Sequence, residues 1–287
     1  MRVVIIYNPN STGDSEANAK QLAAQLRAEG LRVATRPTKF AKHGEEIAAR
    51  YAKKDEEIVL ISSSGDGGYH EVVNGVLRHP AQKITIGVLP SGNANDHYAA
   101  METGTLVESI RDKKFRAIDS IKVTATIDGK PWVRYAHSYV GIGVTARAAK
   151  QLTIKRPNAI TEKWIVLHSL LSFRYVKVKE NVHTRRYSSV IFSNIDRMSK
   201  VIKLSEHASI TDGKFEINKI SFHSKFRLIG YLITAATIGL KQPPSVKRYE
   251  CQTLASTPIQ LDGEAYILDA HSPLRIESIR QNIQCVL

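Results

Sequence analysis

The sequence predicts an α/β domain followed by a largely antiparallel β domain, with the boundary near residue 115. Three observations carry this reading. Short apolar runs alternate with helical periodicity over the first hundred residues, the pattern of a parallel sheet with helices on both faces. Past about Lys114 the chain turns rich in Ile, Val and Thr, and strand-like runs succeed one another. The 287 residues suffice for two modest domains with their own cores, residues 1–115 and 116–287.

The elements follow in order. Val3–Tyr7 is an apolar run of buried-strand type, and Asn8–Asp14 is turn-rich. Ser15–Glu29 has helical periodicity that stops at Gly30. Leu31–Thr35 reads as a strand, Gly44–Lys53 as a helix and Ile58–Ser62 as a third strand. A Gly-rich turn leads into the helix Tyr69–Leu77. The strand Ile84–Leu89 then ends in the turn Pro90–Asp96. In the second half, Ala117–Ile127 and Trp132–Val140 flank the hairpin turn Asp128-Gly129. Further strands are read at Ser188–Ser193, Phe215–Ile220, Lys247–Leu254, Ile259–Leu261, Ala265–Ala270 and Leu274–Ile279. Helical stretches lie near Thr161–Tyr175 and Lys225–Leu240.

Lys and Arg outnumber Asp and Glu by 41 to 27, a net charge of +14. Such an excess suits a solvated basic surface or an anionic partner: nucleic acid, a phosphate-bearing ligand or an acidic bilayer. No RNP-like or helix-turn-helix signature supports nucleic acid. The two cysteines make no disulfide framework and no metal-binding spacing, which fits a reducing cytoplasm. The apolar run at the start is too short for a secretory signal. The longest apolar stretch, Leu228–Leu240, is too short to span a bilayer and reads as a core or lipid-lining helix.

The chemistry concentrates in Ser64-Gly65-Asp66-Gly67-Gly68, set between an apolar strand and a helix. In open α/β sheets ligands sit beyond the carboxyl ends of the strands. Glycines there let backbone N–H groups approach phosphate oxygens, and a helix start adds unpaired donors and a positive dipole end. A carboxylate in such a turn repels an anion unless it has a task. Asp66 can accept a proton from a substrate hydroxyl or orient a hydrated Mg²⁺; an Asx-turn or helix cap is the plainer alternative. GxxxxGK[ST] is absent, and the first strand leads into NPNSTG rather than GxGxxG.

Five motifs in order carry a resemblance. They are Asn8–Gly13, the stretch SGDGGYHEVVNGV from Ser64, Leu89–Asp96, Asp212–Glu216 and Leu261-Asp262-Gly263-Glu264. Together they resemble the diacylglycerol kinase catalytic-domain superfamily, which includes sphingosine, ceramide and bacterial lipid kinases. The resemblance implies a nucleotide-binding α/β domain, a C-terminal antiparallel β-sandwich for lipid and an active site in the interdomain cleft. ATP would be the phosphoryl donor, with Mg²⁺. Asn8 and Thr38 would contact the nucleotide, although Thr35 lies close enough to compete for the second role. Ser64, Gly65, Gly67 and Gly68 would cradle the phosphates, with Ser91, Gly92 and Asn93 as the opposite wall. Asp96 would hold the loops or an Mg²⁺-bound water. Asp66 and Asp262 both have claims to be the general base, and Glu264 would support nucleotide or metal binding. Arg147, Lys150, Lys155 and Arg156 fall where the family places phosphate-facing cations; a solvated basic helix is the alternative.

On the lipid side, basic clusters at Arg174–Lys179, Arg185-Arg186 and Lys241–Arg248 suit an anionic membrane surface. Trp164, Ile165, Leu167, Leu170, Leu171 and Phe173 would line either an acyl pocket or an ordinary core. The expected setting is cytoplasmic with peripheral membrane association, and a homodimer is left open. Two departures stand out. Gly68 replaces a larger residue usual in the family, and no acid follows Gly141-Ile142-Gly143, where sphingosine kinases carry one. The second favours a neutral glycerolipid or another hydroxylated lipid. The competing readings are an NAD kinase, which shares a GGDG turn, and a lipid- or nucleotide-binding protein without turnover.

Overall fold

The structure is a computed structural model. It describes all residues except 12, 80–82, 93–94, 102–103, 156–174, 199–201, 207, 223–229, 232–233, 235–236 and 238–242, and for 150–155 the backbone only. The chain forms two compact units, Met1–Asp119 with Arg280–Leu287, and Ser120–Ile279.

The first unit comprises β1 (Arg2–Tyr7), α1 (Ser15–Ala28), β2 (Arg32–Pro37), α2 (His43–Ala52), β3 (Ile58–Ser64), α3 (Asp66–Leu77), β4 (Ile84–Pro90), α4 (Asp96–Ala100), α5 (Leu106–Arg111) and the start of β5 (Phe115–Ile127). Its sheet is parallel, in the order β2-β1-β3-β4. All seven residues of β3 are buried, as befits a central parallel strand covered on both faces. Val3, Ile5 and Tyr7 pack against Ala19, Leu22 and Leu26 of α1 and Ile110 of α5. Strand alternation sends the equally buried Val4 and Ile6 to the other face. Each such side chain contributes about 1.5–3 kcal/mol relative to exposure.

Local chemistry sets the helix limits. Gly30 ends α1 at φ +77°, which a side chain rarely adopts. Its N–H donates to the Arg27 carbonyl, and the Leu31 N–H donates to that of Leu26. α2 and α3 pack on each other. A β-carbon on Gly75 would lie 2.8 Å from Ala48 Cβ, so the glycine of EVVNG is a packing glycine.

The second unit continues β5 and adds β6 (Lys130–Ala136), β7 (Tyr139–Gly143), α6 (Val144–Lys155), β8 (Val176–Glu180), β9 (His183–Ser193), β10 (Arg197–Met198), β11 (Ile202–Lys203), β12 (Phe215–Ser221), β13 (Ser245–Val246), β14 (Arg248–Thr253), β15 (Thr257–Leu261), β16 (Glu264–Leu268) and β17 (Pro273–Val286). Its described strand registers are all antiparallel. Val140, Ile142, Phe192, Phe215, Leu261 and Ile276 belong to its core. The hairpin at Asp128-Gly129 forms as expected, with φ of 51° and 70° at the two positions.

Several limits differ from the sequence reading. α3 begins at Asp66, not Tyr69, so Gly67 and Gly68 form its first turn. The run Trp132–Val140 splits into β6 and β7 at His137-Ser138, whose N–H groups bond to Asp262. β8 was read only as a basic cluster; its Val-Lys-Val-Lys alternation buries Val176 and Val178 and exposes Lys177. The units divide at 119/120 and again at 279/280. The segment Arg280–Leu287 joins the first unit because Gln284 and Cys285 of β17 pair in parallel with Thr85 and Ile86 of β4. Residues 161–174 and most of Lys225–Leu240, read as helices, lie outside the described residues.

Candidate active site

Three turns, after β1, β3 and β4, meet at Ser91 beyond the carboxyl ends of these parallel strands. The Ser91 N–H donates to the Ser64 carbonyl at 3.1 Å. The Ser91 carbonyl accepts from Ser11 Oγ at 3.2 Å. Ser91 Oγ accepts from Asn18 Nδ2 at 3.1 Å and lies 3.3 Å from Ser63 Oγ. Ser63 Oγ donates to the Ser15 carbonyl at 2.8 Å, which ties the start of α1 to the end of β3.

The glycines here are required by close approach. A β-carbon on Gly13 would lie 2.6 Å from the Ser91 carbonyl oxygen, and one on Gly92 would lie 2.9 Å from the Gly65 nitrogen. The Gly65 and Gly92 turns therefore pass backbone against backbone. Asn95, left-handed at φ 55°, fixes the second turn by donating from Nδ2 to the Gly92 carbonyl at 2.8 Å.

Gly68 is explained by Ser64. Its β-carbon would lie 2.6 Å from Ser64 Cβ, so the Ser64 side chain occupies the space a larger residue would take. Ser64 Oγ lies 2.7 Å from Ser62 Oγ. The Gly65 carbonyl accepts from the Tyr69 N–H, so the N–H groups of Gly67 and Gly68 in the first turn of α3 precede the helix's own hydrogen-bond ladder. Backbone donors at a helix start, free of side-chain obstruction, favour an anion such as phosphate.

Two acids adjoin this pole. Asp66, half-buried, accepts the Asp96 N–H at a long 3.4 Å, and Asp96 is buried at the start of α4. Glu71 has another task. Its two oxygens accept the N–H groups of Lys42 at 2.8 Å and Gly44 at 2.9 Å, capping α2. Asn74 Nδ2 donates to the His70 carbonyl within α3 at 3.0 Å. Tyr69 stacks on His97 at 4.9 Å and its hydroxyl lies 3.3 Å from Cys285 Sγ. Burial pushes that thiol up to about 12.

Thr38 lies beside the first turn, its N–H donating to the Tyr7 carbonyl at 2.8 Å, whereas Thr35 sits within β2 opposite Ile5. Asn8 is exposed, its Oδ1 accepting the Asn10 N–H at 3.0 Å. Asn93 lies outside the described residues.

The second unit holds Asp262 and Glu264. The Asp262 side chain is wholly buried. Oδ2 accepts the His137 N–H at 3.0 Å; Oδ1 accepts those of Ser138 at 2.9 Å and Tyr139 at 3.1 Å. His137 Nε2 lies 3.3 Å from Oδ2. At left-handed φ 50°, Asp262 is a clasp between the β15–β16 turn and the break between β6 and β7. Glu264 opens β16 and is half-buried. Arg147 lies in the first turn of α6; the side chains of 150–155, together with 156 and 164–173, lie outside the described residues.

The structure thus brings Ser64, Gly65, Gly68, Ser91, Gly92, Asp66 and Asp96 together, with Asn8 and Thr38 on the neighbouring turns. Sequence reasoning missed Asn18 and Ser63, which hold Ser91. Their only signal is position: Asn18 on the first turn of α1, Ser63 on the last residues of an otherwise apolar strand. Among the described residues no group of three metal-ligating side chains occurs.

A family model described as the diacylglycerol kinase catalytic domain matches residues 2–123. The chain is 30% identical over 280 residues to a diacylglycerol kinase of Staphylococcus saprophyticus, covering 92% of this chain and 88% of that one. It is 23% identical over 300 residues to a diacylglycerol kinase of Staphylococcus carnosus, covering 99% and 94%. The crystal structure of a diacylglycerol kinase from Bacillus anthracis matches its fold with a TM-score of 0.73 at 17% identity, covering 99% and 96%.

Proposed function

The chain belongs to the diacylglycerol kinase catalytic-domain superfamily and is a lipid kinase; on that premise we propose that it transfers the γ-phosphoryl group of ATP to the hydroxyl of diacylglycerol or a closely related neutral lipid. The observation that carries this is the convergence of the three turns on Ser91, which presents the glycine-lined start of α3 beside Asp66. In this reading the first unit takes the nucleotide and the second the lipid.

The lipid oxygen attacks the γ-phosphorus, the bond to the β,γ-bridging oxygen breaks, and ADP leaves. The hydroxyl proton passes to Asp66. Such transfer depends on positioning and charge stabilisation. First-turn N–H groups of α3 hold phosphate oxygens, and the Ser91-Gly92 turn bounds the other side. Asp96, whose N–H reaches Asp66, is the acid that would hold the water shell of a nucleotide-borne Mg²⁺, and that ion would supply neutralisation of phosphate charge. Asp66 is favoured as base over Asp262 because it is half-buried at a helix start, whereas three main-chain N–H groups already occupy Asp262.

Gly68, one of the two features that suggest a binder without turnover beside the irregular β domain, is accounted for by the Ser64 side chain. The test is transfer from γ-labelled ATP with Mg²⁺ to diacylglycerol in mixed micelles, followed by thin-layer separation. A labelled phosphatidic acid is expected. Label on NAD alone, or none on any lipid, would overturn the proposal.

A further inference from the structure

We propose that the face formed by the β2–α2 loop and the outer side of α2 docks the protein on an anionic phospholipid bilayer, with Phe40 entering the interface. The surface lies in the first unit and is none of the basic clusters singled out in the sequence.

A groove of about 470 Å³ runs between β2 and α2. Arg36, Lys39, Arg50 and Lys54 line it, Ile47 and Tyr51 supply apolar floor, and no carboxylate contributes to its wall. Among the described residues none of these four cations has a carboxylate partner. Four other cations of the unit are paired with acids: Lys20 with Glu16, Arg78 with Glu45, Lys83 with Asp55 and Lys113 with Glu57. Lys54 Nζ instead sits 4.9 Å over the Tyr51 ring.

Phe40 stands beside the groove with 56% of its surface exposed, stacked on His43 at 4.5 Å. An exposed aromatic among uncompensated cations matches a bilayer surface in both respects. The ring enters the headgroup region, and the cations meet lipid phosphates at about 1 kcal/mol each. Inorganic phosphate or a sugar phosphate would use the cations and leave Phe40 idle.

The inference rests on the lipid-kinase reading but is tested apart from it. Full-length protein is sedimented with vesicles of phosphatidylcholine alone or mixed with phosphatidylglycerol. Binding to the mixed vesicles only is expected. Phe40→Ser and Arg50→Glu, both at exposed positions, should each weaken it about fivefold or more. Lys130→Glu, the same charge change on an exposed hairpin of the second unit, should leave it within twofold. Transfer to short-chain diacylglycerol in detergent micelles should be unchanged in all three variants. Vesicle binding indifferent to Phe40 and Arg50, or equally weakened by Lys130→Glu, would overturn the inference. So would binding of single-stranded DNA, but not vesicles, with the same Arg50 dependence. Absent micellar transfer by the unaltered chain would sink the kinase reading and leave the vesicle result standing.

Discussion

Ser64 and Gly68 share one volume: a β-carbon at position 68 would lie 2.6 Å from the β-carbon of Ser64. The end of β3 and the first turn of α3 are thereby locked together, and the departure from the family pattern at Gly68 becomes a packing trade. Gly68→Ala should destabilise by about 1–3 kcal/mol through overpacking, although helix propensity alone favours alanine by about 1 kcal/mol. Ser64→Gly in the same chain should recover most of the loss. Denaturant unfolding of the four members of this cycle checks it, and additive effects would contradict it.

Asp66→Asn keeps an oxygen to accept the Asp96 N–H but cannot take a proton. It should lower kcat by about 10²–10⁴-fold while stability changes by less than about 1 kcal/mol. Asp262→Ala removes the acceptor of three buried N–H groups and should cost about 3–5 kcal/mol. Single-turnover rates and unfolding midpoints of both variants separate the roles. A stable, inactive Asp262→Ala would reverse them.

Glu216, buried in β12, has its carboxyl raised from an ordinary 4.5 to about 7, first by burial and then by the nearby Asp212 charge. Between these values the folded chain keeps a proton that the unfolded chain has released. Its contribution to stability is therefore greatest at or below pH about 4.5 and declines as pH rises towards 7. Glu216→Gln should flatten that slope, read from unfolding free energies across the window.

Burial raises the thiols of Cys251 to about 11 and Cys285 to about 12. Neither should react with a disulfide reagent at mildly alkaline pH in the folded protein, and both should react on unfolding. Rapid native labelling of Cys285 would show that the Tyr69 contact opens.

β1, β3 and β4 were legible because parallel strands buried on both faces read as apolar runs, as Ile58–Ile61 does. The Gly-rich pole was legible because its glycines answer close backbone contacts. The start of α3 was placed late, since Gly67 and Gly68 look like a loop until Ser64 is seen filling the space above them. Nothing local marks His137-Ser138 as a strand break, because the acceptor, Asp262, is far along the chain. The same distance hid Asp262's engagement by main-chain N–H groups, and it hid the return of Gln284 and Cys285 to the edge of β4. Glu71 stands in the EVVNG stretch that carries the resemblance, and its capping of α2 required the fold.

The most direct measurement is amide NMR of the isotope-labelled chain titrated with a non-hydrolysable ATP analogue and Mg²⁺. The N–H resonances of Gly65, Gly67, Gly68 and Gly92 should shift together and saturate with one affinity, because those groups receive the phosphates. Saturable binding that leaves these four resonances in place would contradict the account.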